Sequence, residues 1–350
     1  MIRVLIVDDS PVAREFLRHL LDSDPDIEVV GIVNNGEEAL KFIERNKPDV
    51  ITMDINMPGM NGFETTRRIM STTPVPIIIV TGSWNPREVT TSFHTIEAGA
   101  LACIERPQGV EHPDHERMKK ELLTTVKLMS EVKVVRRWGK SNKIKRTPTP
   151  LKVITLEKAN DAEIVAIGAS SGGPIVLQKI LSQLPMDYPV PVLVVLHISR
   201  GFIEGFVNWL SETVLLPIKL AKHGEIPSPG HIYFAPDGYH LGVNSKRQIA
   251  LEKNATHNGL CPLVSNLFSS IANVYGSKAI GALLTGMGRD GADELKLLQE
   301  KGALTIAQDK ESSLVFGMPG EAVKLGAANY ILNPDEIAQL LKNQFDRENK

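Results

Sequence analysis

The stretch Ile164-Val165-Ala166-Ile167-Gly168-Ala169-Ser170-Ser171-Gly172-Gly173-Pro174 joins an apolar run of strand length to a serine set among small residues, then to the start of an amphipathic segment. A buried strand that ends on such a turn and feeds a helix is one unit of a parallel α/β sheet. A serine on that turn projects its hydroxyl from the backbone, and the following helix aims its N-terminal N–H groups at negative charge developing nearby. The pattern Gly-x-Ser-x-Gly has a plainer use: a glycine turn that only packs a helix on a sheet or cradles a phosphate. The rest of the chain has to separate the two.

Downstream the series continues. Apolar runs stand at Val192 to Leu196, His231 to Ala235, Ile280 to Leu284 and Ala303 to Ala307, with helical stretches between them. Upstream of residue 107 a second such series occurs, with Val4 to Val7, Val29 to Val33, Val50 to Met53, Ile77 to Val80 and Ala100 to Ile104 alternating with amphipathic segments such as Pro11 to Leu21 and Glu37 to Glu44. Both halves therefore read as α/β domains with mostly parallel sheets, the first doubly wound and five-stranded. At 350 residues the chain is long enough for two cores. Between the series, Lys127 to Lys158 holds ten Lys or Arg against two Glu and includes Thr147-Pro148-Thr149-Pro150, a solvated linker by composition. The expected division is 1–125, a basic linker over 126–160, and 161–350.

Charge is balanced, with Lys+Arg 39 against Asp+Glu 41, so a whole-chain nucleic-acid binder is not expected. The two cysteines, Cys103 and Cys261, have no metal-ligand spacing and frame no disulfide scaffold. Met1 to Val7 meets Asp8 and Asp9 too soon for a signal peptide, and no run approaches the ~20 apolar residues of a membrane span. A cytoplasmic protein without membrane insertion is the expectation.

In the first half, Asp8 and Asp9 follow the first run and Asp54 follows the third. Ligands of open parallel sheets bind at the carboxyl ends of the strands, so the three carboxylates should converge. Three anions need a cation, and hard oxygen donors suit Mg²⁺, which would let Asp54 attack a phosphoryl group. Thr81, ending the fourth strand, and Arg106, just after the fifth, would complete a ring around a transferred phosphate. In the second half, Ser170, His197 and Asp290 each lie past the end of a predicted strand. A serine hydroxyl is a poor nucleophile until an imidazole takes its proton, and a carboxylate must hold that imidazole in one tautomer. Each has a plainer role: His197 as a hydrogen-bonded core histidine, Asp290 as the cap of a helix from Ala292 to Lys301. His223, His231, His240 and His257 compete as base, Asp237 and Asp309 as acid; Ser170, Asp237, His257 would follow the usual α/β-hydrolase order.

The first half resembles the receiver domain of two-component response regulators in its Asp8-Asp9 pair, Met53-Asp54-Ile55-Asn56-Met57-Pro58-Gly59, Thr81-Gly82, Ala98-Gly99-Ala100 and Arg106-Pro107. That resemblance implies a flavodoxin-like fold, Asp54 as phosphoacceptor, Mg²⁺ on Asp9 and Asp54 with help from Asp8 and the Asn56 carbonyl, and a CheA-type histidine kinase as donor. Arg106 stands where the family places lysine, and Cys103 where it usually places an aromatic. The second half resembles the catalytic domain of the chemotaxis methylesterase (CheB) family. The matching motifs are Ile167 to Pro174, His197 with Gly201-Phe202, Ala235-Pro236-Asp237-Gly238-Tyr239-His240-Leu241, Leu284 to Ala292, and Gly317-Met318-Pro319-Gly320. The implied assignment is a Rossmann-like domain with Ser170 as nucleophile, His197 as base, Asp290 as orienting acid and the Met287 N–H in the oxyanion hole, needing no cofactor of its own. Its substrates would be glutamate γ-methyl esters, and particular glutamines, on methyl-accepting chemotaxis receptors. The receiver would lie over the triad mouth until Asp54 is phosphorylated. Ile198-Ser199-Arg200 departs from the family, which usually has proline two places after the histidine. The residues alone leave two other readings, a receiver-controlled binding module without catalysis and a receiver-controlled esterase on another substrate.

Overall fold

The computed structural model describes residues 1–82, 93–132, 134, 161–253 and 260–345. The chain divides into two compact units, Met1–Leu156 and Glu157–Lys350.

In the first unit, β1 (Ile2–Val7), β2 (Ile27–Val33), β3 (Val50–Met53), β4 (Ile77–Thr81) and β5 (Ala102–Glu105) form one sheet in the order β2-β1-β3-β4-β5. Every neighbouring pair is parallel. β3 and β4 are buried along their whole length, as central strands covered on both faces must be. The helix Pro11–Asp22 starts on a Ser10 side chain that accepts from the Ala13 N–H, with proline at its first position, where a missing N–H costs nothing. It buries Ala13, Leu17, Leu20 and Leu21, the i, i+4, i+7, i+8 stripe that its sequence shows. The helix His115–Ser130 inserts Met118, Leu122, Val126 and Met129. It runs past residue 125, so its last turn occupies the start of the stretch read as linker. Most of that stretch, 133 and 135–160, lies outside the described residues.

The second unit has a seven-stranded sheet in the order β14-β13-β12-β6-β7-β9-β8. Its strands are β6 (Ile164–Ala169), β7 (Val192–Leu196), β8 (Ile218–Leu220), β9 (Ile232–Phe234), β12 (Ala279–Leu283), β13 (Leu304–Gln308) and β14 (Tyr330–Leu332), all parallel to their neighbours. β10 (Tyr239–Val243) and β11 (Ile249–Lys253) form a separate antiparallel ribbon. The five long apolar runs are the strands expected from sequence; β8, β14 and the ribbon are additions. The central three, β12, β6 and β7, are fully buried. One cluster of buried side chains, including Leu193, Tyr233, Leu267, Phe268, Leu283 and Leu295, fills one face. The chain proceeds from β6 to β7 on one side and returns at β12 on the other, so β6 is the switch point where an α/β sheet opens a crevice at its carboxyl edge.

Among the described residues, no helix is long and apolar enough to cross a membrane.

Candidate functional site

Ser170 follows β6 directly and His197 follows β7 directly. The last register pair of these strands is Ala169 with Leu196, and the His197 N–H donates to the Ala169 carbonyl at 2.9 Å. Adjacent strands run about 4.8 Å apart, so serine and histidine leave the sheet from neighbouring positions. The Ser170 N–H donates to the Thr285 carbonyl at 3.0 Å, and the Ser170 carbonyl accepts from Gly173 N–H at 2.7 Å. The backbone of the turn is thus held independently of the side chain. Gly172, with φ of 79°, makes the turn into the helix Gly173–Leu181; a side chain would strain that conformation.

Asp290 reaches the histidine from the loop after β12. Its Oδ2 lies 2.9 Å from His197 Nε2, and both side chains are nearly buried. The oxygen sits off the ring N–H direction, so this is a close polar contact without the alignment of a hydrogen bond. Nε2 is the ring nitrogen turned to the acid, which leaves Nδ1 as the candidate for accepting a proton. No hydrogen bond joins Ser170 Oγ to His197 among the described residues; such contacts commonly tighten only with substrate bound.

The carboxylate has a second task. Oδ2 accepts from the Val264 N–H at 2.7 Å and Oδ1 from the Ser265 N–H at 3.1 Å. These are the first two N–H groups of the helix Val264–Val274, whose own N-cap, Leu263, offers no side-chain acceptor. The sequence suggested Asp290 as a cap for the helix beginning at Ala292; the helix it caps is another one, reached through space. Burial pushes the Asp290 carboxyl up, but its contacts with His197, the Val264 N–H and then Ser265 outweigh this and hold it below the usual carboxylate range. It stays ionised, as an orienting acid must.

The loop between β12 and Asp290 is pressed against Ser170. A Cβ built on Gly286 would lie 2.7 Å from Ser170 Cβ and 2.4 Å from Met318 Sδ, so only glycine lets this backbone pass. The Gly286 carbonyl accepts from both the Gly317 and Met318 N–H groups, at 3.0 and 2.9 Å. The Met287 N–H, next in the chain, has no acceptor among the described residues, as an oxyanion donor requires.

Sequence reasoning missed Thr285. Fully buried, its hydroxyl donates to the Ser171 carbonyl at 2.9 Å and accepts from the Val315 N–H at 3.0 Å. Its N–H donates to Gln308 Oε1 at 2.8 Å. Carbonyl and hydroxyl together therefore brace both serines of the turn. The sequence places it inside the matching stretch Leu284 to Ala292 but gives it no role, because its partners come from three separate segments. Thr285→Val keeps the volume but leaves the Ser171 carbonyl and Val315 N–H without their partner. We expect kcat to fall about 10²-fold with KM little changed and Thr285→Ser close to wild type; equal turnover in the valine variant would remove Thr285 from the positioning set.

The competing residues that the structure describes are engaged elsewhere. Asp237 Oδ2 accepts from the Gly201 N–H at 2.7 Å, bracing the loop after His197. Asp309 accepts from the Ser312 N–H and hydroxyl. His223 Nδ1 accepts from Leu251 N–H, His240 Nδ1 from Leu263 N–H, and His231 Nδ1 contacts the Pro229 carbonyl. His257 lies outside the described residues.

In the receiver unit, Asp8 and Asp9 follow β1 and Asp54 follows β3, adjacent strands of the sheet. One carboxylate oxygen from each lies within 4.8 Å of the others. Burial first, and then the neighbouring Asp8 carboxylate, push Asp54 up to about 6; burial likewise raises Asp8. Crowded acids whose negative charge is this unfavourable, all with hard oxygen donors, fit a divalent cation with retained waters. Asn56 lies in the same loop. Thr81 closes β4, and Arg106 Nη1 reaches Asp8 Oδ2 at 3.2 Å.

Comparison with known proteins agrees with both halves. The family model described as CheB methylesterase matches residues 165–341, and that of the response regulator receiver domain matches 4–112. A protein-glutamate methylesterase/protein-glutamine glutaminase of Nitrosospira multiformis is 52% identical over 343 residues, 98% of this chain and 97% of that protein. A protein of Syntrophus aciditrophicus with the same name and the number 1 is 53% identical over 342 residues, 97% of each chain. Among solved structures, the CheB methylesterase catalytic domain of Thermotoga maritima is similar at 37% identity and a TM-score of 0.50, covering 52% of this chain and 98% of that one.

Proposed function

The chain belongs to the CheB methylesterase family, with a response regulator receiver domain ahead of the catalytic domain, and from this we infer a receiver-regulated protein-glutamate methylesterase and protein-glutamine glutaminase. The observation that carries the chemistry is the meeting of His197 with the ionised Asp290 beside Ser170, at the carboxyl ends of adjacent strands. Ser170 Oγ attacks the side-chain carbonyl of a glutamate γ-methyl ester while His197 takes its proton. The tetrahedral oxyanion draws on the Met287 N–H, and the helix Gly173–Leu181 directs its N-terminus toward the same charge. His197 returns the proton to the leaving methanol. Water, deprotonated by the same imidazole, then cleaves the acyl-enzyme to free glutamate. With a glutamine the leaving group is ammonia and the product is again glutamate. Each residue role here is our assignment.

The substrates are chemoreceptors, and the receiver domain takes its phosphoryl group from a kinase; we propose methyl-accepting receptors and a CheA-type histidine kinase. Asp8, Asp9 and Asp54, with the Asn56 carbonyl, would hold Mg²⁺, which supplies charge neutralisation for phosphoryl transfer when bound. Asp54 is the acceptor, and Thr81 and Arg106 contact the transferred group. Phosphorylation places about 1.5 to 2 negative charges at one sheet edge, enough to shift a two-state regulatory equilibrium.

Methanol release from purified methylated receptor, with and without a small phosphodonor, tests the whole reading. The donor should stimulate wild type by a factor within roughly 5–150. In Asp54→Asn we expect basal hydrolysis without stimulation. An unchanged donor response in that variant would remove Asp54 as the switch. Absence of any methanol release from receptor, with turnover of a generic ester, would favour an esterase on another substrate.

A further inference from the structure

Arg106 is longer and broader than the lysine expected after β5, and the residue that accommodates it stands at the end of the neighbouring strand, β4. We propose that Gly82 is a positioning residue for Arg106: the missing side chain at 82 is what allows the guanidinium to lie over the end of β4 and reach Asp8. This rests on the reading of Asp54 as phosphoacceptor only for its consequence, not for its geometry.

Three observations support it. The Arg106 N–H donates to the Thr81 carbonyl at 2.8 Å, which anchors the arginine backbone beside the residue preceding Gly82. From there Nη1 extends to Asp8 Oδ2 at 3.2 Å, and the carboxylate it meets is only 1% exposed. A Cβ built on Gly82 would lie 2.1 Å from Arg106 Nη2, 2.9 Å from Cζ and 3.1 Å from Nε, so the whole guanidinium plane occupies the space of a side chain at 82. Gly82 has no left-handed backbone angle, so space and not conformation calls for glycine. The atoms in conflict are the end of a flexible side chain. Alanine would therefore be accommodated by swinging the guanidinium away from Asp8, with the fold kept. The narrow ammonium of lysine carries no such plane, and a lysine at 106 should be indifferent to alanine at 82.

The site would then lose a fixed positive charge beside the position where phosphoryl oxygens gather negative charge. The test uses the full chain as wild type, Gly82→Ala, Arg106→Lys and the double variant, with Asp54→Asn as blank. With Mg²⁺ and acetyl phosphate, phosphorylation of Asp54 is followed by intact-protein mass. Gly82→Ala should slow it by about tenfold or more, while the same change in the Arg106→Lys background should alter the rate less than about twofold. A second measurement needs neither metal nor donor: the Arg106 Nε–Hε NMR signal, identified by its loss in Arg106→Lys, should move in Gly82→Ala to the position and exchange rate of a free arginine side chain. An unmoved signal in Gly82→Ala, or an equal loss of rate in both backgrounds, overturns the proposal. If wild type itself takes no phosphoryl group at Asp54, the receiver reading fails, and the NMR signal still decides the role of Gly82.

Discussion

Ser170→Ala is expected to end methanol release from methylated receptor, with kcat lower on the order of 10⁶-fold, as when the nucleophile of a serine hydrolase is removed. The backbone reason for expecting an intact fold is direct. Ser170 is held through its N–H to Thr285 and its carbonyl to Gly173, and its Cβ, which alanine retains, is the atom against which Gly286 is fitted. Thermal unfolding should therefore stay within about 0.5 kcal/mol of wild type. Labelling by a fluorophosphonate should disappear in parallel. Ser171 is the natural rival, one residue on in the same turn. Its braced group is the backbone carbonyl, which Ser171→Ala would leave in place, so that variant should keep most turnover. Persistent hydrolysis in Ser170→Ala would assign the attack to another group.

Asp290→Asn should lower kcat by about 10⁴-fold. The carboxylate accepts from the Val264 and Ser265 N–H groups and lies 2.9 Å from His197 Nε2, and an amide can accept through only one oxygen. If its NH₂ turns to His197, Nε2 becomes an acceptor, the proton moves to Nδ1, and the nitrogen needed as base is blocked. If instead the oxygen keeps the place of Oδ2, it serves both His197 and the Val264 N–H, and the Ser265 N–H loses its acceptor, at a cost of about 0.5–2 kcal/mol. Loss of stability and loss of turnover thus come from one atom exchange. The pH dependence has a definite sign. Asp290 has a lower pKa folded than unfolded, so its stabilisation is complete above the ordinary carboxylate range and is lost as pH falls through the folded value. The variant should lack that acid limb. Turnover within tenfold of wild type would show that Asp290 does not orient the base.

Much of this was legible from the chain itself. Runs such as Val192 to Leu196 and Ile77 to Val80 announce buried parallel strands because both their faces are covered. Residues that directly follow such runs, Asp54, Ser170 and His197 among them, fall on the carboxyl edge by topology alone. What was not legible depended on packing. β8 and β14 are only three residues long and lack full burial, so they leave no run. The ribbon of β10 and β11 turns through Asn244 to Gln248, with Arg247 at φ of 62°, and has no Asn-Gly signal. Asp237 read as a rival acid because a carboxylate in a motif looks the same whether it faces an imidazole or a loop amide. The partners of Asp290 are 25 and 26 residues away, and nothing local to either segment foretells the bond.

That shared carboxylate shapes how the enzyme can decay. A duplicated copy released from selection for hydrolysis would shed the Ser170 hydroxyl freely, since no neighbour among the described residues bonds to it. It would still be bound to keep the aspartate, whose loss unseats a helix. Among degenerate descendants, therefore, the acid should outlive the reaction, and its presence is poor testimony that a given copy still works.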